Sequence, residues 1–122
     1  MADILFNDTK HASFFSQILS NMKKNDCYHQ SVAYLFALDE NCREHIADLF
    51  NYEHDNITPS ALYYAWQNDS SQKTTRLALN LWYGYYDEYD AKYSTPVELF
   101  NCPYAPFYYE AIKLRFPQFA KA

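Results

Sequence analysis

The sequence contains a single glycine, Gly84, which lies among aromatic residues in the segment LNLWYGYY (79–86). Because glycine is so rare, the chain has no glycine-rich phosphate-binding loop and no Gly-x-Ser-x-Gly nucleophile elbow. The HExxH and CxxC motifs of metal and redox sites do not occur either. Two interpretations of Gly84 are open. It allows another backbone to approach closely, or it ends a helix in a left-handed turn.

Long apolar runs are also missing from the sequence. No stretch approaches the length of a membrane-spanning helix, and the start, MADILFNDTK, lacks the basic and apolar regions of a secretory signal. The three cysteines (Cys27, Cys42 and Cys102) are odd in number and widely spaced, which is typical of free thiols in a reducing compartment. We therefore expect a cytoplasmic protein that does not associate with membranes.

Basic residues are fewer than acidic ones, 10 against 15, and the net charge is −5. The whole acidic excess lies in residues 1–61, and it is densest in the segment DENCREHIADLFNYEHD (39–55). An acidic surface repels phosphate backbones, so nucleic-acid binding is not expected. The same surface would complement a protein partner that carries a basic surface.

What the chain has in abundance is apolar residues at helical spacing. Hydrophobic residues make up 49% of the 122 residues, which is enough for one compact core. The N-cap residues, apolar stripes and prolines predict the following helices: 8–24, 26–37, 41–51, one beginning at Pro59, a long one over 71–84, a short one from Pro96 and a last one ended by Pro117.

The arrangement of these helices follows from their connections. The linker LDEN between the second and third helices is short, so these two should form an antiparallel hairpin within 26–51. No segment alternates with a period of two, and strands are therefore not expected. The prediction is a single all-α domain over 1–122, built of six or seven short helices with the 71–84 helix as its central element.

Aromatic residues form the first candidate site. The segment YGYYDEYDAKY (83–93) carries five tyrosines with interspersed acidic residues, and one helix face cannot bury all five rings. Either the rings contact a partner, or they line a groove under the last helix with their hydroxyls in solvent. For the first interpretation, the predicted partner-binding residues are Tyr83, Tyr86, Asp87, Glu88, Tyr89, Asp90 and Tyr93, together with Glu44, Asp48, Glu53 and Asp55 of the acidic segment.

A hydroxyl-rich helix start, NDSSQKTTR (68–76), forms the second candidate site. With Ser70 or Ser71 at the N-cap, free backbone N–H groups and the helix dipole could hold a small anion or a nucleotide phosphate. The predicted anion-binding residues are Ser71, Lys73, Thr74 and Arg76. The competing interpretation is an ordinary helix cap in which Arg76 pairs with a carboxylate.

Metal ligation and catalysis receive little support from the sequence. The possible ligand pairs are Cys27 with His29, Cys42 with His45, and His54 with Asp55. In a helical hairpin the two cysteines would be roughly 20 Å apart at a rise of 1.5 Å per residue, too far for one zinc site. His54 in an acidic loop is more simply a solvated side chain than a general base. We expect no metal, no cofactor and no catalytic residue, and the alternative to a binding module is a binder of a small anion or nucleotide phosphate at 70–76, or an enzyme that acts on such a ligand.

Three segments together resemble a known family: WQNDSSQKTTRLALNLWYGYYDE (66–88), STPVELF (94–100) and YYEAIKLRFP (108–117). The family consists of small proteins of low-GC Gram-positive bacteria and their mobile elements, known only as a domain of unknown function. The residues that carry the likeness are Trp66, Gln67, Ser71, Lys73, Thr75, Arg76, Leu77, Asn80, Leu81, Trp82, Gly84, Ala111, Ile112, Arg115 and Phe116.

The resemblance implies a helical fold and a bacterial or mobile-element setting, and it brings no catalytic residue with it. Together with the acidic, tyrosine-rich composition, it predicts a non-enzymatic protein-binding module that inhibits or modulates a host system. Association of the chain with itself through the aromatic surface stays open.

Overall fold

The computed structural model describes residues 3–86 and 88–120. Within these residues the chain forms seven α-helices, one pair of very short strands and three 3-10 turns. The helices are α1 (Thr9–Asn21), α2 (Cys27–Leu38), α3 (Glu40–Glu44), α4 (Ile46–Leu49), α5 (Asp69–Tyr83), α6 (Pro96–Leu99) and α7 (Ala105–Arg115). The strands are β1 (Phe50–Asn51) and β2 (Asn56–Ile57), and the 3-10 turns are Pro59–Tyr63, Ala91–Ser94 and Pro117–Phe119. The predicted all-α class is confirmed.

Helix α2 lies at the centre of the fold, in place of the 71–84 helix that the sequence suggested. Its residues from Ser31 to Leu38 are all buried, and α1, α5 and α7 pack around it. The segment SVAYLFAL carries no charge, so it can be surrounded on every side at little desolvation cost. Helix α5 packs one face against α2 and leaves Asn80 and Tyr83 exposed.

The predicted helix over 41–51 is wrong in its length. It is divided into α3 and α4 at His45, and its last two residues belong to β1. The hairpin of 26–51 is therefore reduced to α2 followed by two short helices.

Strands β1 and β2 pair antiparallel, with Phe50 opposite Ile57 and Asn51 opposite Asn56. The expectation of no strands is wrong for these four residues. A turn that includes Asp55 at φ +54° joins the two strands. Paired strands of two residues are too short to produce a visible alternation, which is why the sequence pattern missed them.

Side-chain caps fix where the main helices begin. The Asp26 carboxylate accepts from the His29 backbone N–H at 3.0 Å, as the sequence indicated, and the Asp8 carboxylate does the same for α1. Pro59 begins a 3-10 turn instead of an α-helix, and α7 ends just before Pro117.

Gly84 ends helix α5. Its backbone is left-handed at φ +75°, and its N–H donates to the Asn80 carbonyl at 2.8 Å. A Cβ placed on this residue would meet no atom within 4 Å, so no other backbone approaches it. The interpretation of Gly84 as a helix stop is confirmed, and that of close backbone packing is wrong.

None of the helices formed by the described residues combines the length and the apolarity that crossing a bilayer requires.

Candidate functional site

The tyrosine-rich segment beyond α5 is displayed to solvent. Tyr83 is 52% exposed, Tyr86 54%, Tyr89 96% and Tyr93 41%. Only Tyr85 of the five predicted rings is partly buried, and it stacks on Tyr83 with a centroid distance of 5.9 Å. This exposure favours partner contact over packing of the rings beneath the last helix.

A further tyrosine joins this segment from the 3-10 turn Pro59–Tyr63. The Tyr63 hydroxyl donates to Asp90 Oδ2 at 3.1 Å, and the Tyr63 ring is 53% exposed. Glu88 is exposed beside these rings and Asp90 is half-buried, whereas Asp87 lies outside the described residues. We call this set the tyrosine surface: Tyr63, Tyr83, Tyr86, Glu88, Tyr89, Asp90 and Tyr93.

The second predicted half of the partner site, the acidic segment 39–55, is partly engaged within the fold. Asp48 Oδ2 accepts from the indole Nε1 of Trp66 at 3.0 Å. Asp39, which is 2% exposed, accepts from the Cys42 backbone N–H at 3.0 Å and from the Ser70 hydroxyl at 2.9 Å. Glu44 and Glu53 are exposed. The acidic segment therefore offers fewer available carboxylates than its composition indicated.

Asp55 forms an ion pair with His29. Nε2 of His29 lies 2.7 Å from Asp55 Oδ1, and Nδ1 lies 2.6 Å from Asp26 Oδ1. Both ring nitrogens of His29 therefore lie at hydrogen-bond distance from a carboxylate oxygen, one from each aspartate. Burial of Asp26 alone would raise its pKa, but the hydrogen bonds from His29 and its charge outweigh that effect and hold the pKa below the usual value.

The start of helix α5 is a capping box formed by different residues from those predicted. Asn68 is the N-cap, and its side chain accepts from the Ser71 backbone N–H at 2.9 Å. The Ser71 hydroxyl accepts in return from the Asn68 backbone N–H at 2.8 Å, and it is fully buried. The prediction of Ser70 or Ser71 as the N-cap is wrong, because Asn68 already satisfies the first free N–H groups.

Two of the four predicted anion-binding residues are committed to the interior. Ser71 forms the capping box, and the Thr74 hydroxyl lies 2.8 Å from the Tyr108 hydroxyl in the core. Neither side chain can reach a ligand. The other two, Lys73 and Arg76, line a cavity of about 430 Å³ on the outer side of α5.

The same cavity collects residues that are distant in the sequence. Gln72 and Asp69 come from α5, Tyr63 and Tyr93 from the two neighbouring 3-10 turns, and Asp90 and Glu98 from the chain around the second turn. Because Tyr63, Asp90 and Tyr93 also belong to the tyrosine surface, the cavity opens within that surface.

Arg76 is the most unusual side chain in the cavity. It is only 5% exposed, and its Nη1 has no hydrogen-bond acceptor among the described residues. It forms no ion pair with any described carboxylate, so the predicted pairing of Arg76 with an acid is wrong. Its guanidinium carbon lies 5.5 Å from the centroid of the Tyr93 ring, a cation–π contact. Lys73 Nζ donates to the Asn101 carbonyl at 3.1 Å.

The three possible metal-ligand pairs noted in the sequence do not come together in one site. Among the described residues, no three histidine, cysteine, aspartate or glutamate side chains come together as the ligands of a metal ion would. The three cysteines are free, and burial raises the pKa of the Cys42 thiol. Burial lowers the pKa of His11, and Nε2 of this ring lies within hydrogen-bond distance of the Tyr34 carbonyl oxygen, at 2.9 Å.

With this geometry described, comparison with known proteins identifies the family. The model of a family of unknown function (DUF6075) matches residues 1–122, the full length of the sequence. The chain belongs to this family. No curated protein and no solved structure matches it. Membership therefore supports the resemblance noted from the sequence and supplies no activity.

Sequence reasoning missed part of the cavity. Lys73 and Arg76 were recognised from one segment, but Tyr63, Asp69 and Glu98 were not. These three lie up to 35 positions apart along the sequence, and no local pattern connects them.

Proposed function

We propose that this protein is a non-enzymatic protein-binding module and that the tyrosine surface contacts its partner. The observation that carries the proposal is the exposure of Tyr83, Tyr86, Tyr89 and Tyr93, between 41% and 96%. A chain that only needed to pack its aromatic residues would bury these rings, as it buries Tyr34 and Tyr108. Clustered exposed rings are typical of interaction sites.

The chemistry of tyrosine supports this use. Each ring offers a large contact area with few rotatable bonds, so little conformational entropy is lost when it becomes fixed against a partner. Its hydroxyl can donate or accept at the polar edge of an interface. Tyrosine is accordingly enriched among the residues that contribute most to binding energy.

Charge narrows the kind of partner. Glu88 and Asp90 lie among the rings, and the chain as a whole carries a net charge of −5. A partner with a basic surface would be attracted to this face, and association would weaken as salt concentration rises. Nucleic acid does not fit this surface, because the carboxylates would repel its phosphates.

An inhibitor or modulator of a host system would act in this way, by covering a basic surface of its target. The resemblance to proteins of bacteria and their mobile elements supports that role. Three free cysteines support a place in the reducing cytoplasm.

The test compares two exposed tyrosines. Tyr89→Ser removes a ring from the tyrosine surface, and Tyr109→Ser removes a ring that is 60% exposed on α7. A partner captured from a lysate of the source cells would be purified and titrated against each variant. We expect Tyr89→Ser to weaken binding tenfold or more, and Tyr109→Ser to leave it unchanged.

Equal binding by the wild type and Tyr89→Ser would overturn the proposal, provided both proteins unfold at the same temperature. If the captured partner is a second copy of this chain, sedimentation at rising concentration will show a dimer that Tyr89→Ser weakens. That result would keep the surface and change the partner.

A further inference from the structure

The cavity beside α5 contains a buried arginine, Arg76, one of whose terminal nitrogens has no hydrogen-bond acceptor in the described part of the chain. Arg76 is 95% buried, since only 5% of its surface is exposed, and Nη1 has no acceptor among the described residues. An arginine keeps its charge at every pH at which a protein folds, so it cannot relieve this burial by losing a proton. Buried charges are as a rule paired or hydrogen-bonded, because their desolvation is costly.

Comparison with the other two arginines, which are half-buried, shows that the chain can satisfy such a group. Arg43 Nη1 donates to the carbonyls of Ala37 and Leu38 at 3.0 and 3.3 Å. Arg115 Nε donates to the Leu81 carbonyl at 2.7 Å. Arg76 has only the face of the Tyr93 ring, which attracts a cation but accepts no conventional hydrogen bond. The lack of an acceptor for Arg76 Nη1 is therefore a local property of the cavity.

The cavity wall carries both signs of charge. Lys73 and Arg76 are cationic, and Asp69, Asp90 and Glu98 are carboxylates. None of the five takes part in an ion pair with another described residue. Lys73 donates to the Asn101 carbonyl and Asp90 accepts from the Tyr63 hydroxyl, but none of the charges is neutralised by an opposite charge among the described residues.

This charge pattern selects among anions. Two cations and three carboxylates give the wall a net charge of −1, so a polyphosphate would meet more repulsion than attraction. A ligand with one anionic group and one cationic group would satisfy both sets. A volume of about 430 Å³ is ample for a molecule of amino-acid size.

We infer that the Arg76 cavity binds a small zwitterion of the amino-acid or short-peptide class. Its carboxylate pairs with the Arg76 guanidinium, whose fork of donors suits two oxygens. Its ammonium group lies toward Asp90 and Glu98. The site shares Tyr63, Asp90 and Tyr93 with the tyrosine surface, but its ligand differs from the proposed protein partner, and binding can be measured without that partner.

The test uses the purified full chain and thermal unfolding. The probes are the common L-amino acids and diglycine at millimolar concentration, with succinate as an anion without an ammonium group and cadaverine as a cation without a carboxylate. A ligand that binds only the folded state raises the unfolding temperature by mass action. We expect at least one zwitterion to raise it, with succinate and cadaverine giving little change. Titration calorimetry of that zwitterion then gives its dissociation constant.

Two arginine variants assign the site. Arg76→Met removes the cation and keeps an unbranched apolar side chain in its place, so the ligand-free protein should unfold at the wild-type temperature or above it. The ligand-induced rise should disappear. Arg43→Met removes a cation that donates to two carbonyls, so it should lower the unfolding temperature and retain the ligand-induced rise.

A third variant tests the other end of the ligand. Glu98→Gln should raise the dissociation constant of the zwitterion tenfold or more, because a charge-assisted hydrogen bond is lost. The inference is overturned if no probe raises the unfolding temperature, or if the rise persists in Arg76→Met. It is also overturned if succinate acts as strongly as the zwitterions and Glu98→Gln has no effect, since the cavity would then be a plain anion site.

Discussion

Two regions of this protein are rich in acidic residues, and the fold engages their carboxylates to different degrees. In the segment 39–55, Asp39, Asp48 and Asp55 each accept hydrogen bonds from side chains elsewhere in the fold. In the tyrosine surface, Glu88 is exposed among rings that are themselves exposed. Acidic composition therefore does not by itself locate a contact surface. What matters is whether the fold has already given each carboxylate a donor.

Asp39 gives the largest expected effect. Asp39→Ala removes the cap of α3 and leaves the donors of Cys42, Ser70 and Tyr104 without their acceptor. We expect the free energy of unfolding to fall by about 3 kcal/mol, from a lost cap and unmet buried donors. Urea denaturation measures this change. The neighbouring exposed Glu40→Ala is the control and should cost well under half as much; equal costs would mean that Asp39 is not structural.

Asp55 should have a smaller effect on stability. Asp55→Asn keeps a residue that tolerates the positive φ of +54° but removes the charge opposite His29. Since His29 retains Asp26, the expected loss is about 1 kcal/mol. Urea denaturation again gives the value. Affinity for the partner should not change, and a loss of affinity without a loss of stability would return Asp55 to the contact surface.

The pH dependence of stability tests the contact between Asp26 and the same histidine, His29. The pKa of Asp26 is lower in the folded chain than in the unfolded chain, so the unfolded state binds its proton first as pH falls. The stabilisation from Asp26 is therefore complete above about pH 4, near the unfolded value, and decreases below it. Unfolding curves from pH 6 to pH 2.5 should show a shallower decline for Asp26→Asn than for the wild type. Identical slopes would contradict the ion pair.

Charge reversal gives the smallest effects and distinguishes the two regions most cleanly. Glu88 and Glu44 are both exposed, one in the tyrosine surface and one in the segment 39–55. Glu88→Lys should weaken binding of a basic partner about fivefold, and more at low salt, because a rim charge acts mainly through long-range attraction. Glu44→Lys should leave the dissociation constant unchanged. Neither variant should shift the unfolding temperature, and the reverse ranking of affinities would move the contact to 39–55.

The sequence predicted the parts of the fold that rest on local signals. Asp26 as a cap, the helical stripes and the stop before Pro117 depend on residues a few positions apart, where backbone geometry dominates. Gly84 was placed correctly only as one of two alternatives, because its sequence position fits either a packed or a terminal glycine. The Asn68 cap was missed since Ser70 and Ser71 offered equally good chemistry nearby.

The candidate site was less predictable because it depends on distant pairings. Nothing in the local sequence shows that Asp48 meets Trp66 or that Asp55 meets His29. The tyrosines of 83–93 were recognised because five rings cannot share one buried face. The lack of a hydrogen-bond acceptor for Arg76 Nη1 could not be foreseen, since it depends on where Asp90 and Glu98, from two other segments, lie in the fold.

The most direct test of the central claim is hydrogen–deuterium exchange of the protein alone and in complex with its purified partner. The account predicts that binding slows exchange in the peptides spanning 83–98, while the exposed part of 39–55 exchanges at the same rate in both states. Protection confined to 39–55, with 83–98 unchanged, would contradict it.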